Sequence, residues 1–174
     1  GYFDQVIEGL QEPSTDKPSG CVFDPRVVAK ETVAAVQQEL QLSEDAASYF
    51  LQLLTLLQPT DANIKSWNGW KKKQLDAARA ELVAHNLVTE GKRARTGRSA
   101  FLPGIWWEAS APNIPVEAWK SNFYLVRYLN KATTVAPWCP PTMLYDRLFP
   151  QAWNRWLTGD RPSFDQLTTK KYRK

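Results

Sequence analysis

Three consecutive lysines, Lys71, Lys72 and Lys73, are followed at once by Gln74. Further on, Lys92, Arg93, Arg95 and Arg98 crowd into EGKRARTGRS, Glu90 to Ser99, around Gly91 and Gly97. An ammonium neutralises a phosphate as a point charge, and a guanidinium or an ammonium can also pair with the edge of guanine. The Gln74 amide carries the donor and acceptor that match adenine. Residues of these types could recognise an anionic polymer. An acidic protein partner, or plain solvation of a charged surface, would use the same lysines equally well.

The distribution of charge sharpens this. From Lys65 to Arg98 there are nine basic residues, Arg79 among them, against three acidic ones, Asp76, Glu81 and Glu90. The whole 174-residue chain carries only +4, so the remainder is net negative. Three lysines in the first turn of a helix oppose the helix dipole, and external phosphates would relieve that conflict. Gly91 and Gly97 would let the second cluster bend close to a backbone.

The elements that must position these clusters are legible in outline. PRVVAKETVAAVQQEL predicts a helix opened by Asp24 as cap and Pro25 at its first position, with Val28, Thr32, Ala35 and Val36 on one side. Ser43 caps a second, strongly apolar helix in which Phe50, Leu53, Leu54 and Leu57 line a core face, ended by Pro59. Thr60 or Asp61 caps a short helix. SWNG, Ser66 to Gly69, reads as a tight turn. A longer helix runs from about Trp70 to Ala84 with Leu75, Ala78 and Leu82 buried, and LVTEGKR and RSAFLPG read as two strands of a hairpin.

The segments SEDAASYFLQLLTLLQ, DANIKSWNG, WKKKQLDAARAELVAHNLV and TEGKRARTGRSAFLP, in that order, resemble a winged helix-turn-helix domain of the bacterial MarR-like kind over about residues 40–104. The resemblance implies a mainly α-helical fold with a small β-hairpin. It implies double-stranded DNA as partner, with Lys71, Lys72, Lys73, Gln74 and Arg79 on the third helix at the major groove. Lys92, Arg93, Arg95 and Arg98 then lie on the wing, at the backbone or the minor groove. The chain departs from that pattern at the turn, where Trp67 and Trp70 flank Asn-Gly.

Three regions follow: an N-terminal segment or linker over 1–24, the winged-helix domain over 25–104, and a Trp-rich helical extension over 105–174 packing on it. The last holds six of the eight tryptophans, with helices expected over Pro115 to Leu129 and Tyr145 to Leu157, APWCPP as a turn and TTKKYRK as a frayed basic tail. Tryptophan is enriched where proteins meet. Trp67, Trp70, Trp119 and Trp153 therefore carry the competing expectation, a protein-interaction or scaffold domain of a larger complex.

Chemistry beyond binding does not assemble. No GxxxxGK or GxGxxG phosphate loop and no GxSxG serine occurs. His85 stands alone at a helix end, where a C-terminal cap is expected, and Cys21 and Cys139 allow one disulfide but no four-ligand metal site. The expectation is a non-enzymatic module without cofactor or metal. No apolar run reaches the length of a membrane span and no signal-peptide pattern opens the chain, so a cytoplasmic setting is expected. The chain begins at Gly1 without methionine, which predicts a processed product or a piece of a longer bacterial protein.

Overall fold

The computed structural model of the chain describes residues 20–104, 106–108, 115–124, 127–129, 132–134 and 141–163. Residues 1–19 of the N-terminal segment, all of the APWCPP turn but its last proline, Cys139 with it, and the basic tail lie outside the described residues.

The fold is mainly α-helical with a small two-stranded antiparallel hairpin. Helix α1 spans Pro25–Val28 and α2 spans Lys30–Leu40. Asp24 caps α1 as expected, its carboxylate accepting from the Arg26 N–H, and Pro25 takes the first helical position. The predicted single helix breaks at Ala29, whose φ is −142°. The break resets the phase of the apolar stripe: Val33 and Val36 are buried, while Ala35 is exposed and Thr32 only half-buried. Gln41 ends α2 in the left-handed region, φ 54°.

Helix α3, Glu44–Thr55, is the central element. Every residue from Ala46 to Thr55 is buried, because α2, the longest downstream helices and a 3-10 segment surround it. A helix enclosed this way buries its polar residues too, and Ser48, Gln52 and Thr55 each find a partner. Ser48 Oγ donates to Glu44 O at 2.7 Å and Thr55 Oγ1 to Leu51 O at 2.8 Å. Gln52 pairs reciprocally with Asn68, each side-chain amide donating to the other's oxygen at 2.8 Å, and its Nε2 also donates to Phe23 O. Ser43 caps α3 through the Ala46 N–H, and the helix ends at Thr55, ahead of Pro59.

Helix α4, Asp61–Asn68, is capped by Thr60. The SWNG stretch is not a turn throughout: Ser66 to Asn68 complete α4, and only Gly69 turns, at φ 67°. That left-handed cap suits glycine, and it frees Asn68 to point inward at Gln52. Helix α5, Lys72–Ala84, buries Leu75, Ala78 and Leu82 against α3. Strands β1 (Thr89–Glu90) and β2 (Ala100–Phe101) pair antiparallel, Thr89 opposite Phe101 and Glu90 opposite Ala100.

Beyond residue 104 the predicted helix over Pro115 to Leu129 is overturned. Strand β3, Trp106–Glu108, pairs with β4, Pro115–Glu117; a 3-10 turn follows over Ala118–Phe123; and β5, Arg127–Leu129, pairs with β6, Ala132–Thr134. Trp119, Phe123, Val126 and Leu129 are spaced as on one helix face, but FYLVRYL is also rich in aromatic residues, which favour strands. Helix α6, Tyr145–Leu157, has the predicted bounds and tolerates Pro150. Its Leu148, Phe149, Ala152, Trp153 and Trp156 join residues of α2, α3 and α5 in a single apolar cluster. The described helix of the 105–174 region is thus built into the same core as residues 25–104.

Candidate nucleic-acid interface

Lys71 is the N-cap of α5, and Lys72 and Lys73 open its first turn, which contains no acidic residue. All three are exposed, as is Gln74. The Gln74 side chain turns back, Oε1 accepting from the Lys71 N–H at 2.9 Å, and so satisfies one of the unpaired donors of the helix start. Lys72 reaches Asp76 one turn on, which holds the Asp76 carboxyl below its ordinary range. Lys73 begins the outward stripe of α5, continued at 77, 80 and 84 by exposed alanines.

Arg79 is on the inner flank of the same helix. Its side chain is 13% exposed and is held by Asp61 at 3.1 Å and Asp76 at 3.4 Å. A guanidinium so engaged braces α5 against the start of α4, and the expected groove contact does not fit its position. Trp70 and Trp67 serve the turn as wedges. Trp70 is 6% exposed, edge-on to Tyr49 and covered by the Arg26 guanidinium, and Trp67 packs on Phe23.

In the hairpin loop Lys92 and Arg95 are exposed, Arg95 at φ 62°, and Arg93 lies half-buried over the Phe101 ring. Thr96 is buried and its hydroxyl bonds the carbonyls of Arg93 and Arg98, which holds the loop as a compact bend. Gly97 O accepts from the Asp61 N–H at 2.9 Å, so the loop is fastened to the first residue of α4.

Arg98 corrects the expectation. Its side chain is 2% exposed and forms two parallel bonds to Glu117, at 2.7 and 2.9 Å, beneath the Phe101 ring. Lys120, with no exposed side chain, reaches Oε2 of the same carboxylate at 2.9 Å, an oxygen that Arg98 also bonds, and donates to Leu53 O at 3.2 Å. Burial alone would raise the Glu117 pKa, but Arg98 and Lys120 outweigh it and hold the carboxyl down to about 2. Burial pushes the Lys120 ammonium down to about 8, against the pull of Glu117. Arg98 thus pins the hairpin to the last residue of β4 and is not available to phosphate. Glu117 and Lys120 escaped the sequence reading because they lie beyond the basic stretch and no local spacing pairs them with Arg98.

The tryptophans proposed as protein anchors are largely spent inside. Trp153 is 4% exposed and stacks on Trp156 with ring centroids 5.1 Å apart. Trp119 is half-buried, with Arg155 over its ring at 4.1 Å, Phe123 at its edge and its Nε1 donating to Asp160.

The structure therefore leaves Lys71, Lys72, Lys73, Gln74, Lys92 and Arg95 at the surface, with Arg93 at the loop's flank; Gln74 bonds back to the Lys71 N–H, and Arg79 and Arg98 are engaged by carboxylates. The lysines follow the C-terminal end of α4 and the hairpin loop is tied to its N-terminal end, so the two clusters bracket that helix. Among the described residues no group of three or more His, Cys, Asp or Glu is placed to hold a metal, and no helix is long and apolar enough to cross a membrane. His85 is the exposed C-cap of α5. No protein-family model matches the chain, and no curated protein or solved structure matches it.

Proposed function

We propose that residues 25–104 act as a winged helix-turn-helix that binds duplex DNA, with α5 facing the major groove and the 91–99 loop as its wing. The observation that carries this reading is the exposed Lys71–Lys73 cluster on an α5 start that has no acidic residue in its first turn. That charge is unfavourable to the helix itself and becomes favourable against phosphates. The order of elements supports it: α4, a glycine turn, α5 and an antiparallel hairpin. Helix α4 spans roughly 12 Å at 1.5 Å per residue, the scale of the major groove, so clusters at its two ends suit successive phosphate rows.

Electrophoretic mobility shift of the full chain with a mixed duplex pool, at two salt concentrations, tests the proposal. Binding that weakens steeply with salt is expected. Replacing Lys71, Lys72 and Lys73 by alanine should make the slope of log K against log salt shallower by about 2.7, from three lost phosphate contacts. Absence of binding to any duplex at low salt would sink the reading, and capture of a protein partner that depends on Trp119 would favour the competing one.

A further inference from the structure

We infer that the lysine-bearing face of α5 engages DNA duplexes of any sequence, gripping phosphates without reading bases. The inference rests on the duplex-binding reading above. Base recognition in the major groove needs side-chain donors and acceptors aimed at base edges. Three residues near the lysines have that capacity, and each is committed elsewhere. Gln74 Oε1 accepts from the Lys71 N–H at 2.9 Å, and turning outward would uncap α5. Arg79 is 13% exposed and shared between Asp61 and Asp76. Arg98 lies beneath Phe101 on Glu117.

Past the first turn, the central outward stripe of α5 carries no hydrogen-bonding side chain, and Asp76 on its flank is engaged by Lys72 and Arg79. Positions 73, 77, 80 and 84 step by four, three and four, so they lie on one stripe opposite Leu75, Ala78 and Leu82. After Lys73 the stripe is Ala77, Ala80 and Ala84, all exposed. An alanine methyl can touch a thymine methyl, which is a small preference beside a bidentate pair. What alanines do permit is close approach of the helix to the duplex.

The remaining contacts of this α5 face are lysine ammoniums on flexible four-carbon stems; Arg93 and Arg95 lie outside it, on the 91–99 loop. A lysine can bond a guanine edge, but as a mobile point charge it follows phosphates wherever these lie, and contacts to phosphate carry no sequence information. A helix built this way suits repeated binding along any duplex better than the choice of one operator.

The test is fluorescence anisotropy of the full chain with labelled two-turn duplexes, GC-rich, mixed-sequence and A-tract, together with selection from a randomised duplex pool. The expected result is a set of affinities within about tenfold of one another and no enriched motif. A duplex bound more than about tenfold tighter than the rest, or a recurrent motif after selection, overturns the inference while leaving duplex binding intact. Failure to bind any of them removes the duplex reading and this inference together. Gln74→Ala provides a second check: it should lower thermal stability and leave the ranking of duplexes unchanged. A changed ranking would mean that Gln74 reads a base, and the inference would fall.

Discussion

The carboxylate of Glu117 accepts two parallel hydrogen bonds from Arg98, at 2.7 and 2.9 Å, where neither side chain is more than 2% exposed. Lys120 approaches the same carboxylate at 2.9 Å, so one buried anion serves two buried cations. Removing either end of such a group leaves a charge without its counter-charge, and the ends are not equivalent.

Glu117→Ala should therefore destabilise the fold more than Arg98→Ala. The first strands two buried cations and should cost about 3–5 kcal/mol. The second leaves the Glu117–Lys120 pair and should cost less. Urea denaturation of the two variants checks the order. Arg98→Ala, wherever it remains folded, should bind duplex as the parent does, because its guanidinium never faced solvent.

The same group sets a pH dependence with two arms. The Glu117 carboxyl is held at about 2 when folded, against an ordinary 4.5, so the unfolded chain takes up its proton first. Its contribution is complete above about 4.5 and should fade as pH falls toward about 2. Burial lowers the Lys120 ammonium to about 8 from an ordinary 10.5. Between those values the unfolded chain holds the proton that the folded chain has released, so this group's contribution to stability should grow as pH rises through that window. Chemical denaturation across pH reads both arms. Lys120→Met should erase the alkaline one.

How much of this was legible in the sequence depends on the range of each interaction. Caps are local, so Asp24, Ser43 and Thr60 announced three helices correctly. The stripe Leu75, Ala78, Leu82 and the bounds of α6 were legible for the same reason. The basic residues could be counted along the chain but not their fates. Arg98 meets Glu117 nineteen positions on and Arg79 meets Asp61 eighteen positions back, and neither pair has a sequence signature. Arginines counted toward a binding surface are thereby spent in holding elements together. Helical spacing failed over 115–129 because the same aromatic positions also suit strands.

Stability and binding should trade against each other at Lys73. Its charge sits in the first turn of α5, where the dipole favours an anion. Lys73→Glu should leave stability unchanged or raise it by roughly 0.3–0.5 kcal/mol at low salt, while duplex affinity falls. Paired denaturation and anisotropy measurements decide this. Loss of both properties together would argue that Lys73 has a structural role.

Gly97 should be intolerant of a side chain. Its φ is +64°, and a Cβ there would meet Thr60 Cγ2 at 3.2 Å and Cβ at 3.3 Å. Gly97→Ala should cost about 1 kcal/mol or more. It should also loosen the bond from Asp61 N–H to Gly97 O that ties the loop to α4. Amide hydrogen exchange at Asp61 should report that loosening directly, as faster exchange than in the parent chain.

The reciprocal amide pair of Gln52 and Asn68 has a consequence for how the chain reaches its native arrangement. Each amide gives one hydrogen bond and takes one, Gln52 also reaches Phe23 O, and the Asn68 carbonyl accepts from Arg26. Leucines in their place would accept many near-equivalent packings. Two amides accept only the one in which both halves match, since any slip of α4 along α3 strands polar atoms away from water. The pair therefore acts as a register key between α3 and α4: a packing shifted by one position leaves buried amide groups without partners and lies higher in free energy than the native one.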